Sequence, residues 1–323
     1  MPWPRALNLW RQGFLRESSV IYGFDQNNPE FYLSDYQRFA RTVQRIPQED
    51  AYLDNKLLFA TLAGSLVRIP KTYALIVRGR IVQTDSSFQH PDPRQLLELA
   101  ARRGKLVIKP VGGGGGSDIR ILEYIGDSFR INNSPIDASA FVELVGSLCN
   151  HMVCEYISQA AWVAEIFPGT LNTLRILTMI DPHNGEPFIA IAIHRFGRHS
   201  SYPVDNWTQG GLSTEIDLDT GTLGSGASYP MTGRLEWYDC HPDTGAQIKG
   251  VRNPRWDEIK AGILNLAGKL PFLRYVGWDV AVMDDGFVVV EGNSNTDVNL
   301  LQLHRPLLRD PRVRGFYLYY KVI

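Results

Sequence analysis

Ile108-Lys109-Pro110-Val111-Gly112-Gly113-Gly114-Gly115-Gly116-Ser117 is an apolar strand that ends in a lysine and runs directly into five consecutive glycines. Glycine has no Cβ and adopts φ > 0 freely, so such a run can wrap its backbone N–H groups around phosphate oxygens. No Gly-Lys-Ser/Thr closes it, which excludes a Walker loop, and Ser117 stands where the third glycine of a dinucleotide fingerprint would fall. A flexible linker is the competing reading. Linkers are bordered by polar residues, whereas this run separates two apolar segments, Lys105–Pro110 and Ile119–Tyr124.

Outward from the glycines, strands and helices alternate. Asp92 caps a helix with Pro93 in its first turn, Arg102 and Arg103 in its last, and Gly104 as its stop. Asp137 caps another that carries Phe141, Leu144, Val145 and Leu148 on one face, and His151–Ile157 reads as a strand. Thr173–Ile180 and Phe188–His194 flank an Asn184-Gly185 turn, and a helix after Asn253-Pro254 turns Trp256, Ile259, Ile263 and Leu266 inward. Upstream, Tyr36, Phe39, Ala40 and Val43 have helical spacing, a second helix follows Asp54, and Ala74–Val77 and Arg80–Thr84 read as short strands.

A second decisive stretch is Val276-Gly277-Trp278-Asp279-Val280-Ala281-Val282-Met283, then Asp284-Asp285-Gly286, then Phe287-Val288-Val289-Val290-Glu291-Gly292-Asn293. Two β-rich segments around an Asp-Gly signal predict a hairpin. Asp279 and Glu291 interrupt otherwise apolar strands, where a carboxylate is costly unless it is paired, metal-bound or reaches solvent at a strand end. A three-residue loop would pair Met283 with Phe287 and put Asp279 opposite Glu291, with Asn293 on the same face. A two-residue Asp285-Gly286 turn would separate the carboxylates unless a bulge corrected the register. Three converging oxygen ligands would suit Mg²⁺ shared with substrate phosphates.

Composition narrows the classes. The chain has 323 residues, 44% hydrophobic and 21% charged, enough for full cores in two domains. Lys plus Arg number 33 against 34 Asp plus Glu, which argues against a dedicated nucleic-acid binder. No apolar run is long enough for a membrane span, and the N-terminus shows no apolar signal core, so a cytoplasmic protein is expected. Three cysteines make no disulfide framework, and Cys149, His151 and Cys154 lack a fourth ligand for zinc.

Taken together, these features resemble the ATP-grasp superfamily, and within it the sugar-transfer-associated, α-L-glutamate-ligase-related group. The resemblance covers about residues 50–305. It is carried by the glycine loop and by Asp54-Asn55-Lys56-Leu57-Leu58, Leu171-Asn172-Thr173-Leu174-Arg175-Ile176, His194-Arg195-Phe196-Gly197, Val204-Asp205-Asn206-Trp207 with Gly210-Gly211, and Gly277-Trp278-Asp279 with Glu291-Gly292-Asn293. It implies an α+β fold in which two α+β lobes clasp ATP. The expected divisions are a mixed helical and strand N-terminal region over 1–90, a small lobe with the glycine-rich loop over 91–158, and a large lobe with the metal site over 159–323.

The resemblance also implies roles. Lys109 and Lys56 would neutralise ATP phosphates beneath Gly112, Gly113, Gly114, Gly115, Gly116 and Ser117. Glu155, Tyr156 and Ile157 would receive adenine, and Asp279, Glu291 and Asn293 would hold Mg²⁺. Arg175 and Arg195 would stabilise charge on the transferred phosphoryl group, the alternative being a structural ion pair. His194, alternating with Arg195, is expected to pack on the opposite face. Asp205 and Asn206 could position substrate or simply form a turn. The implied reaction activates a small-molecule carboxylate with ATP to an acylphosphate, which an amine then attacks, in surface-sugar or secondary-metabolite biosynthesis. The alternatives are a kinase acting on a hydroxyl group and a non-catalytic ATP-binding protein.

Overall fold

Alternation along single strands divides the molecule into cores and a cleft. The computed structural model describes residues 3–86, 88, 91–116, 118–231 and 233–323, so Ser117 lies outside the described residues. In chain order the strands are β1 Thr72–Val77, β2 Arg80–Thr84, β3 Lys105–Pro110, β4 Arg120–Ile125, β5 Ser128–Ile131, β6 Ser134–Ile136 and β7 His151–Glu155. There follow β8 Thr173–Ile180, β9 Pro187–Phe196, β10 Leu212–Ile216, β11 Leu223–Ser228, β12 Trp237–Tyr238, β13 Tyr275–Met283 and β14 Gly286–Asn293. They form two sheets, ordered β2-β1-β7-β3-β4-β5-β6 and β12-β11-β10-β9-β8-β13-β14. Together with the helices this is an α+β fold.

In the first sheet, Leu106 and Ile108 of β3 enter a core with Leu96, Leu99 and Ala100 of the helix Pro93–Arg103 and Phe141 and Val145 of the helix Ala138–Ser147. Asp92 and Asp137 cap those helices by accepting the N–H groups of Arg94 and Ala140. Val107 and Lys109, one residue out of phase, point to the cleft. The hairpin 72–84, expected within the N-terminal region, supplies two strands of this sheet. β1 pairs with β7, and Tyr73, Ala74, Ile76 and Ile81 enter the same core as Leu96.

In the second sheet, Leu174 and Ile176 of β8 and Val276, Trp278 and Val280 of β13 pack on Ile259, Ile263 and Leu266 of the helix Trp256–Lys269. On the opposite face, Leu177, Met179, Ile191, Ile193 and Tyr275 are covered by Leu9, Phe14, Tyr22 and Leu33 of the N-terminal segment and by Val313 and Phe316 of the helix Pro311–Tyr319. The helix expected from the spacing of Tyr36, Phe39, Ala40 and Val43 is a π-helical turn Gln37–Arg41 followed by Thr42–Arg45, and its apolar residues face outward, Phe39 being 57% exposed. The inward group is Arg38, which is ion-paired to Asp35 at 2.7 Å and to Asp297 at 2.5 Å while stacking 3.8 Å from the Phe39 ring centroid. An ion-paired guanidinium has taken the place that the apolar spacing predicted for aromatics.

His194 faces away from Arg195 and is fully buried, stacked on Phe196 at 4.3 Å and set edge-on to Trp162 at 5.6 Å. Burial, with Arg195 adding to it, pushes the imidazole down from 6.5 to about 3. The folded chain therefore refuses a proton at this position that the unfolded chain accepts below pH 6.5. The stability it confers is complete above that pH and is lost progressively as the pH falls. Urea unfolding at neutral and mildly acidic pH should show a larger acid loss in the wild type than in His194→Leu. Equal losses in the two proteins would reject this assignment.

Candidate active site

Between the two sheets lies a cavity of about 390 Å³, walled on one side by β3 and the glycine run and on the other by β8, β9, β13 and β14. Its floor is a row of charges that the strand register sets. Arg175 on β8 is directly opposite Asp279 on β13, and Asp279 is directly opposite Glu291 on β14. Asn293 follows at the alternate position and pairs with Gly277. Gly277 carries no Cβ because one would lie 2.3 Å from the Thr296 hydroxyl.

The hairpin reaches this register by a different route from the three-residue loop. Met283 pairs with Gly286 across a two-residue Asp284-Asp285 turn, and the pairing continues as Val282 with Phe287 down to Val280 with Val289. A β-bulge at Val290 then shifts the register by one, so that Asp279 meets Glu291. Without that extra residue the two carboxylates would fall on opposite faces. Gly286, at φ 150°, adopts a conformation that favours glycine at the turn exit.

Two guanidinium groups converge on Asp279. Arg175 donates from Nε to Oδ1 at 2.5 Å and from Nη2 to Oδ2 at 3.1 Å, while Arg195 Nη2 donates to Oδ2 at 3.0 Å. Burial alone would raise the Asp279 carboxyl, but the two arginines outweigh it and hold it at about 2. Burial would lower Arg195, and Asp205, Asp279 and Glu291 instead hold it above its usual range. Arg175 Nη1 donates to the Thr296 hydroxyl at 2.6 Å, and Arg195 Nη2 also donates to the Thr173 hydroxyl.

The oxygens offered to a metal are unequal. Glu291 lies 3.4 Å from Lys56 Nζ, and Asn293 donates its amide N–H to the Gly277 carbonyl at 3.1 Å, its side-chain oxygen having no partner among the described residues. Both are hard donors of the kind Mg²⁺ takes. Asp279 has its two oxygens occupied by three N–H groups and is committed to the arginines. Among the described residues no group of three His, Cys, Asp or Glu side chains is arranged to hold a metal.

On the small-lobe side, Lys109 is 8% exposed and lines the cavity, and among the described residues it has no anionic partner. Gly112 to Gly116 line the cavity above it, and Lys56 Nζ donates to the Gly113 carbonyl at 2.6 Å. Glu155, Tyr156 and Ile157 line the cavity as well, and Glu155 Oε2 accepts the Lys71 N–H at 3.2 Å. Sequence reasoning did not find the apolar walls Val107, Ile121, Leu171 and Val290, or Thr173 and Thr296. Val107 was findable as the residue two before Lys109; Thr296, in a loop, gave no signal.

The profile of the sugar-transfer associated ATP-grasp family matches residues 37–310, and the chain belongs to that family. Solved structures with a similar fold include the ATP-grasp ligase PsnB complexed with minimal precursor, Mg and ADP. It is 15% identical over 97% of this chain and 72% of that one, with a TM-score of 0.40. D-alanyl-alanine synthetase A from Vibrio cholerae is 10% identical over 83% of this chain and 66% of that one, with a TM-score of 0.46. The macrocyclase MdnC from Microcystis aeruginosa, bound with precursor peptide MdnA, is 16% identical over 87% and 61%, with a TM-score of 0.39. Among curated proteins none matches in sequence. No helix among the described residues is long and apolar enough to cross a membrane.

Removing Asp279 strands two buried cations. Asp279→Ala should lower the unfolding free energy by about 3–5 kcal/mol, and adding Arg175→Met should cost less than the sum of the two single changes. A urea double-mutant cycle measures this. Additivity within about 0.5 kcal/mol would show that Asp279 and Arg175 do not depend on each other.

Proposed function

We propose that this chain is an ATP-dependent carboxylate–amine ligase. The observation that carries the proposal is Lys109, a buried ammonium that has no counter-ion among the described residues and lines the cleft beside a run of glycines. A buried cation is costly without an anion, and the glycine run would bring backbone N–H groups to the same anion. The triphosphate of ATP meets both demands, with Lys56 as a second cation and the apolar walls near Glu155, Tyr156 and Ile157 taking adenine. Glu291 and Asn293 would hold Mg²⁺, with Asp279 beside them keeping the two arginines in place. The ion would neutralise phosphate charge.

In the chemistry proposed, a substrate carboxylate oxygen attacks the γ-phosphorus and ADP leaves. An amine in its uncharged form then attacks the acyl carbon, the C–O bond to phosphate breaks, and phosphate departs with the carboxylate oxygen and the N–H proton. No protein nucleophile is required. Arg175 and Arg195, fixed before substrate arrives, would stabilise the charge on the transferring group. A carboxylate acceptor is favoured over a hydroxyl group because a hydroxyl group must lose its proton to a base. Among the described residues no histidine lines the cavity, and the carboxylates there are engaged: Asp205 by Arg195 and Thr173, Asp279 by two arginines, Glu291 by Lys56, Asp297 by Arg38 and Glu155 by a backbone N–H. The family's association with sugar transfer supports a place in surface-sugar or secondary-metabolite biosynthesis, and an ATP-consuming enzyme of this kind would work in the cytoplasm.

With ¹⁸O-labelled carboxylate drawn from a panel of amino and sugar acids, label should appear in the released phosphate, and the product should be the amide. ATP consumption that needs no carboxylate, or a stable phosphorylated hydroxyl product, would contradict the ligase assignment.

A further inference from the structure

Residues 204–209 touch both halves of the cleft at once. Asn206 Nδ2 and Gln209 Nε2 each donate to the Gly115 carbonyl at 2.8 Å, filling both lone pairs of one glycine-loop oxygen. Val204 packs beneath Gly116, where a Cβ would lie 2.7 Å from Val204 Cγ1 and where φ is +71°. The turn that presents these groups is well braced. Asn206 Oδ1 accepts the Thr208 N–H at 2.9 Å and its hydroxyl at 2.8 Å, and a Cβ on Gly211 would lie 2.6 Å from the Asp205 carbonyl oxygen. Asp205, the preceding residue, faces the other way. Its Oδ2 accepts the Thr173 N–H at 2.8 Å and the Thr173 hydroxyl at 2.6 Å and lies 3.4 Å from Arg195 Nε. Arg195 Nε is buried and has no hydrogen bond of its own, so the Asp205 charge is what sits against that side of the guanidinium.

We propose that Val204–Gln209 is a latch that holds the glycine-rich loop closed over bound nucleotide through Asn206 and Gln209, and that Asp205 is the positioning residue for Arg195. Adjacent residues of one braced turn thus face the loop and the guanidinium, so closure of the loop and placement of the arginine are set together. This rests on the nucleotide-binding reading above. It adds that the large lobe, and not the glycine loop alone, determines how long nucleotide stays bound.

The test uses the full chain and a fluorescent N-methylanthraniloyl ATP with Mg²⁺. Asn206→Ser with Gln209→Met keeps an N-cap oxygen and the side-chain volume of residue 209 but removes both donors to Gly115. Nucleotide dissociation should quicken at least about tenfold, with the thermal midpoint held. Gly116→Ala should do the same from the small-lobe side, by lifting the loop off Val204. With the carboxylate and amine that the labelled panel identifies, Asp205→Asn should cut phosphate release at saturating ATP at least about tenfold while leaving KM for ATP within about threefold, and Asp205→Glu should recover part of the loss. Unchanged dissociation in folded Asn206→Ser/Gln209→Met and Gly116→Ala proteins would overturn the latch. Unchanged turnover in Asp205→Asn, or a loss confined to thermal stability, would overturn the positioning role. Failure of the wild type itself to bind the nucleotide would instead remove the reading on which both rest.

Discussion

A carboxylate buried as deeply as Asp279 survives ionised only because two guanidinium groups reach it, and much of the cleft is arranged to bring them there. Arg175 arrives as its direct neighbour across β8 and β13, while Arg195 comes from β9. Asp205 supplies a second negative charge, so two arginines are balanced by two aspartates. Thr173 and Thr296 take guanidinium N–H groups that the carboxylates do not. The guanidinium pair is therefore fixed without a ligand, which is the preorganisation that the role proposed for it requires. Lys109 differs, since among the described residues it has no anionic partner.

One face of the large sheet serves two purposes, and β8 shows how. Thr173, Arg175, Leu177 and Met179 project to the same side. The first two enter the cleft, and the last two are covered by Leu9, Phe14 and Tyr22. The N-terminal segment thus seals the part of the face that the site leaves apolar. It is fastened by Gln302, fully buried, which accepts the Leu33 N–H at 3.1 Å and donates to the Tyr22 hydroxyl at 2.7 Å. Arg38 reaches Asp297, at the margin of the cavity, from the same segment.

Elements with strict alternation or clear punctuation were legible in the sequence. The helix between Asp92 and Gly104 and the strands Lys105–Pro110 and Thr173–Ile180 lie where capping and period predict. The Val290 bulge was not legible as such. Val288, Val289 and Val290 form an uninterrupted apolar run with no polar residue to mark a slip of one, so only the need to pair Asp279 with Glu291 hinted at it. Aromatic spacing over 36–43 misled because Arg38, ion-paired to partners remote in sequence, claimed the inward face. The contacts of Asn206 and Gln209 with Gly115 join segments some ninety residues apart, and no local pattern encodes them.

The central claim is that Lys109, the glycine run and the Arg175–Arg195 pair form one phosphate-binding site. A crystal structure with Mg²⁺ and a non-hydrolysable ATP analogue tests it most directly. The triphosphate should lie beneath Gly112–Gly116 with an oxygen in hydrogen-bond reach of Lys109 Nζ and its terminal phosphate turned to the two arginines. An analogue bound with its phosphates away from Lys109, or with the terminal phosphate remote from Arg175 and Arg195, would contradict the account.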